Sequence, residues 1–208
     1  MRKSKLVVAI GAAVALAATP LLTATTAAAA SGTNSGTAAT SGVMVTGTSA
    51  ACGGKQIGRP AGYPDGTKLV DLSGIADFTP VSSKNNVKFT PTLEKRSVPG
   101  SWATWGSPPD TESATPNILY TVGATSIKVT LPDRGARRAA GMEVEPNPFA
   151  EHTFTAVFAK KSGEEICTAT VVANGEAGAK LLAAKVRRAK TITVSSDTDF
   201  SIAQVRYK

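Results

Sequence analysis

The chain has 208 residues, a formal charge of +8 and only 5% aromatic residues. That length fits one domain, or one domain with a tail. A single histidine and two widely separated cysteines exclude a zinc site of the usual His/Cys kind, and no phosphate-loop or dinucleotide fingerprint is present.

The chain opens like a secretory leader. Arg2, Lys3 and Lys5 form a positive start, residues 6–18 are small and apolar, and Pro20 interrupts the run. Ala28, Ala29 and Ala30 offer the small side chains a signal peptidase needs. The run is shorter than the ~20 residues that cross a bilayer. An uncleaved anchor is the rival reading. No cysteine follows the run, so a lipoprotein is not expected, and no later apolar run is long enough to span. Removal of residues 1–30 takes three basic residues and no acids, which lowers the charge to +5. The expected location is extracellular, with no membrane span once the leader is removed.

Residues 31–55 read as a flexible linker. Up to Ala50 they are mostly Ser, Gly, Thr and Ala, which bury too little surface to offset their ordering entropy. The folded domain is then 56–208. Cys52 and Cys167 are an even pair in an exported chain and are expected to form a disulfide. Closing so long a loop stabilises by about 4 to 5 kcal/mol in the chain-entropy model. Two free thiols are the alternative.

From Lys68 the pattern is strands and turns. Candidate strands cover 68–72, 87–93, 117–122 and 141–145, then 165–173 and 200–207. Between them Ile127, Val129 and Leu131 alternate with polar residues, as do Phe154, Ala156 and Phe158, and Ile192 and Val194. A period of two puts each apolar set on one sheet face. The last strand has apolar residues on both faces, Phe200 and Ile202 against Ala203, Val205 and Tyr207, which suits a central position. Ser162-Gly163 marks a turn, and Asn174-Gly175 reads as a two-residue hairpin. Residues 177–190 are rich in helix formers. On a helical wheel, however, Lys185 falls inside the would-be apolar face, between Leu181 and Val186. As a strand, Leu182, Ala184 and Val186 share one face. About nine short, closely spaced strands predict an all-β fold, an antiparallel β-sandwich.

Three segments carry a resemblance: SWATWGSPP at 101–109, GMEVEPNPF at 141–149 and DFSIAQVRY at 199–207. In that order, with hairpins between, the half of the chain from Trp102 onward resembles uncharacterised jelly-roll, galactose-binding-like domains of secreted bacterial proteins. The resemblance implies a jelly-roll sandwich. It implies no activity and no site residues.

The chemistry on offer is sparse. His152 is the only candidate base for a Ser-His-Asp arrangement, no Gly-x-Ser-x-Gly elbow is present, and a histidine exposed at a strand edge is the plain reading. Glu143 and Glu145 share a strand face and would serve a glycosidase if a cleft held them. Solvated strand faces carry such pairs too. Asp197 and Asp199 have similar spacing and would suit either a calcium ion or a solvated turn. Trp102 and Trp105 lie among Ser, Thr, Gly and Pro. They are read either as rings that stack on a sugar or as plugs for the end of the sandwich. Arg134, Arg137, Arg138, Lys160, Lys161, Lys180, Lys185, Arg187, Arg188 and Lys190 would attract a polyanion if they converged. Aromatics do not interleave them, so nucleic acid is not expected.

No cofactor, metal or catalytic residue is assigned. The leading expectation is a secreted, non-catalytic module for an extracellular glycan or anionic wall polymer. A structural or protein-interaction component of the cell surface is the second reading, and a small hydrolase using paired carboxylates the third.

Overall fold

The alternating runs become strands because each can send one side-chain set inward while its backbone pairs with a neighbour. The computed structural model describes residues 50–133 and 139–208. They contain twelve strands: β1 Gln56–Ile57, β2 Lys68–Leu69, β3 Pro80–Lys84, β4 Val87–Ser97, β5 Asn117–Tyr120, β6 Ser126–Thr130, β7 Ala140–Pro146, β8 Glu151–Ala159, β9 Glu165–Asn174, β10 Lys180–Ala184, β11 Thr191–Ser195 and β12 Phe200–Tyr207. Two short 3-10 turns, Gly53–Lys55 and Pro60–Gly62, are the helical pieces among the described residues. No described helix is long and apolar enough to cross a membrane. The leader at 1–30 and the linker up to residue 49 lie outside the described residues.

The strands bond in the order β1-β10-β7-β12-β5-β4-β6-β11-β8-β9, with β2 added to β12 and β3 to β4. Every pairing between these strands is antiparallel. β4 serves two neighbours: Lys88 to Thr90 pair with β6, and Glu94 to Ser97 pair with β5. Pro91, which has no N–H to give a ladder, stands at the change of partner. The fold is therefore all-β, a front sheet of β1, β10, β7, β12 and β5 joined through β4 to a back sheet of β6, β11, β8 and β9.

The expected inward sets do face inward. Ile127, Val129, Leu131, Phe154, Ala156, Phe158, Ile192 and Val194 are buried in one cluster with Met142, Val144 and Phe200. Leu182, Ala184 and Val186 join them from β10 and just beyond, as a strand reading of 177–190 requires. Phe154 meets Phe200 edge to face at 5.2 Å. Each such ring contributes about 1.5–3 kcal/mol by leaving water.

Three local readings differ from the structure. Residues 50–55, placed in the linker, are tied to β9. Cys52 N donates to Thr168 O at 2.8 Å and Thr168 N to Ala50 O at 2.9 Å. Cys52 and Cys167 form the expected disulfide. Since β1 then pairs with β10, this segment links β9 of the back sheet to β10 of the front sheet.

In β12, strict alternation would place Val205 and Tyr207 with Ala203, away from Ile202. The register shifts between Ala203 and Arg206, and Gln204 adopts φ +48°. This one-residue bulge returns Val205 and Tyr207 to the main core beside Ile202, while Ala203 packs on the front face.

Asn174-Gly175 is not a two-residue hairpin turn. Asn174 and Gly178 exchange backbone bonds around three residues, and Ala177 takes the positive φ, +57°. β9 and β10 then part into different sheets. Gly175 matters for space instead, because a Cβ there would lie 2.1 Å from Pro148 O and 2.8 Å from Pro146 O. Its missing side chain lets this turn press against the β7–β8 connection.

Candidate functional site

Cross-strand register fixes what the front sheet shows on its outer face. Glu145, Ser201, Tyr120 and Glu94 form one row across β7, β12, β5 and β4. Leu181, Glu143, Ala203, Ile118 and Arg96 form the next. On a bare sheet these groups would meet water. Here the β4–β5 connection, residues 98–116, lies over them, and Glu143, Glu145 and Ser201 are 0% exposed.

The two tryptophans hold that connection down, each on its own carboxylate. Trp105 is 3% exposed and packs with Val98, Ile118, Ala179 and Ala203. Its Nε1 donates to Glu143 Oε2 at 2.9 Å. Trp102 Nε1 donates to Glu145 Oε2 at 2.7 Å. Glu112 N donates to Glu143 Oε1 at 2.6 Å, and the Glu112 carboxylate takes a two-pronged bond from Arg206 at 2.6 and 2.7 Å. Burial pushes Glu143 up to about 7, against the pull of the Trp105 and Glu112 N–H groups. Burial pushes Glu145 up to about 8, partly offset by the Trp102 N–H. The Thr104 hydroxyl spends its own bonds on Gly175 O and Ala177 N, and Glu145 Oε1 and Ser201 Oγ have no bonded partner. The acid pair thus sits neither on a solvated strand face nor in a cleft.

Trp102 has a second side. Its ring meets Tyr120 at 5.4 Å. The Arg96 guanidinium lies 5.3 Å from the Tyr120 ring and 4.5 Å from the Phe78 ring. Trp102, Tyr120 and Arg96, with Ser101, Ala103, Thr104, Asn147, Phe149 and Gly175, line an open cleft of about 250 Å³. Phe78 and Phe149 remain 59% and 67% exposed. The wall is stiffened from behind. Asp77 accepts from Lys95 Nζ and Ser97 Oγ, each at 2.6 Å, and from Ser101 Oγ. Those donors hold its carboxyl far below the ordinary aspartate range, the Lys95 bond most of all. Across the cleft Tyr120 OH donates to Asp199, which also accepts from Asn147 Nδ2 at 3.2 Å. Burial, then Asp199, pushes the Tyr120 hydroxyl up to about 12.

The structure therefore separates the two sequence candidates. Trp102 lines the cleft, whereas Trp105 is a buried plug. Tyr120, Phe149, Phe78, Arg96 and Asn147 were not singled out from the sequence. Phe149 did carry a signal, since an aromatic among Pro146, Asn147 and Pro148 has no strand face to bury it.

The remaining candidates lie elsewhere. His152 is not a free edge group: its Nδ1 lies 2.7 Å from Asp197 Oδ1, and its Nε2 is buried without a partner. Asp197 and Asp199 turn to different partners, and no cluster of three or more His, Cys, Asp or Glu that could hold a metal occurs among the described residues. Several basic residues are spent on acids: Lys160 on Glu164, Lys161 and Lys190 on Asp133, Lys180 on Asp110. Lys185, Arg187 and Arg188 are exposed. Arg134, Arg137 and Arg138 lie outside the described residues.

No protein-family model matches the chain, and no curated protein matches it. Among solved structures it is similar to the M60 catalytic domain with the CBM51-1 and CBM51-2 domains of Clostridium perfringens ZmpB, at 15% identity and a TM-score of 0.36, over 67% of this chain. The chain spans only 15% of that protein's length. It is also similar to the family 11 carbohydrate-binding module of a Clostridium thermocellum cellulosomal cellulase, Lic26A-Cel5E. That match has 12% identity and a TM-score of 0.33, over 70% of this chain and 95% of the other. Likeness at these scores bears on neither ligand nor activity.

Proposed function

We propose that this protein is an exported, non-catalytic module that binds an extracellular glycan in the cleft framed by Trp102, Tyr120, Phe149 and Arg96. The observation that carries this reading is the placement of aromatic rings. The chain has only two Trp, three Tyr and six Phe. Three of them, Trp102, Tyr120 and Phe149, line the cleft, and Phe78 packs on Arg96 beside it. Two are left largely in water, although burying a phenylalanine would contribute about 1.5–3 kcal/mol. Exposed apolar surface with a polar rim is a binding feature. A sugar matches it, with C–H faces against rings and hydroxyls against the amide of Asn147 and the backbone near Gly175.

Catalysis finds no support in the same cleft. No Asp, Glu or His lines it among the described residues, and Ser101 Oγ is committed to Asp77 and to Ser97 N. Export accords with the leader-like start and the Cys52–Cys167 disulfide.

The test is a glycan array probed with the secreted protein, followed by calorimetry on hits. Phe149→Ala is expected to weaken binding about tenfold or more while leaving the melting temperature in place, because the ring is exposed. Trp102→Ala is expected to weaken it further and to loosen the fold as well. A protein that binds no glycan, or binds equally well in both variants, overturns the reading.

A further inference from the structure

Resting on that reading, we infer that the glycan taken by this cleft is uncharged, and that Glu94 enforces this by occupying the one cation in the cleft wall. Arg96 is the single charged residue among those lining the cleft. A free guanidinium would offer a planar fork to a carboxylate, sulfate or phosphodiester. This one cannot. Its Nε donates to Glu94 Oε1 at 2.6 Å, its NH2 lies 2.6 Å from the same oxygen, and its NH1 donates to Ser101 O at 3.1 Å. Two of its N–H groups donate, and the NH2 lies against the same carboxylate, so the edge that would fork onto an anion is taken by Glu94. The Phe78 ring, at 4.5 Å, and the Tyr120 ring, at 5.3 Å, both pack against it. Arg96 acts as a stacking partner for these rings, not as an anion clamp.

The surrounding charges point the same way. Glu94 cancels Arg96. Lys95 is 4% exposed and bound to Asp77. Asp199 stands behind Tyr120 and Asn147, and its side-chain partners among the described residues, Tyr120, Asn147 and Thr198, are all neutral. The local sum is neutral to negative, although the chain as a whole is basic. The unpaired cations Lys185, Arg187 and Arg188 follow β10, whose other end leads from the turn at Gly175 that lines the cleft. They stand at the end of β10 away from the cleft. An anionic polymer would meet repulsion here, and a hydroxyl-rich neutral sugar would not.

The experiment compares neutral glycans with carboxylated, sulfated and phosphorylated ones, using the full secreted chain at low and at high salt. Wild type should bind neutral glycans with little salt dependence and reject the anionic set. Glu94→Gln keeps the side-chain shape but frees the guanidinium. It should raise the ratio of anionic to neutral binding about tenfold or more, in a salt-sensitive way, as an added charge-assisted hydrogen bond would. Arg96→Gln in the Glu94→Gln background should abolish that gain, and melting temperatures of all variants check the fold. If wild type prefers anionic glycans and loses them on Arg96→Gln, the inference is overturned while the glycan reading stands. An unchanged ratio in a folded Glu94→Gln protein overturns the role of Glu94. If neither class binds, the glycan reading fails first and this inference with it.

Discussion

The two sheets of the sandwich both carry polar residues on their outer faces, with opposite fates. On the back sheet Ser126, Lys128 and Thr130, Thr153, Thr155 and Val157, Thr168 and Thr170, and Thr191, Thr193 and Ser195 alternate with the core set and none is fully buried. On the front sheet Glu143, Glu145 and Ser201 occupy equivalent alternating positions and are 0% exposed. The front strands also carry Ile118, Ala203 and Leu181 outward, apolar positions that favour a covering loop. Residues 98–116 cover the front face and nothing comparable among the described residues covers the back. A polar strand position meets water by default. Once a loop covers it, it must find a partner or shift its pKa. Both tryptophans are spent on that need, and the cleft is a by-product of how their loop is anchored.

The sharpest way to break this contrast is Trp105→Ala. It removes a buried ring and leaves Glu143 Oε2 without its donor, and should cost about 3–5 kcal/mol in urea denaturation. Thr193→Ala, on the back face, should stay within about 0.5 kcal/mol. Equal losses at the two sites would sink the comparison. Next in size is the Cys52→Ala, Cys167→Ala pair, expected to cost about 2–5 kcal/mol because the bridge ties the segment linking the two sheets. No change in the denaturation midpoint would mean that β1 and its neighbours hold without it.

Acidity gives a subtler probe. Glu143 and Glu145 have raised pKa values in the fold, about 7 and 8, against an ordinary value of 4.5. Below 4.5 both states are protonated and these residues cost nothing. Between 4.5 and about 8 the unfolded chain sheds protons that the fold retains, so stability falls as pH rises through that window and levels off above it. Asp77 is shifted the other way, and its contribution is lost only in acid, below the ordinary aspartate value of 3.8. The expected curve therefore peaks near pH 4 to 5. Glu145→Gln should flatten the alkaline side, and a descent unaltered in that variant would show that the front-face carboxylates are not its source. The smallest expected stability effect is Phe149→Ala, which should act on ligand affinity alone.

Much of the fold was legible from the chain. The inward faces of β6, β8 and β11 followed from alternation, and one lysine at position 185 was enough to choose strand over helix. The disulfide followed from two cysteines behind a leader-like start. The site was legible only in part. Trp102 and Trp105 are three residues apart in the same kind of loop, yet one lines a cleft and the other is sealed on Glu143. Nothing local distinguishes them, because the distinction depends on which row of the front sheet each one reaches. The bulge at Gln204 is equally silent, since neither glycine nor asparagine announces its positive φ.

What the sequence by itself determined is the set of properties that depend on neighbours a few residues away: which strands form, which side of each is apolar, where the turns fall. What only the tertiary structure decided depends on partners farther along the chain. A carboxylate at position 145 is buried because a loop that begins at 98 lies over it. The Arg96 guanidinium packs against two rings because Phe78 and Tyr120 reach it from segments before and after β4. Such contacts exchange water for protein groups, and which water is displaced is a property of the assembled sandwich, not of any one strand.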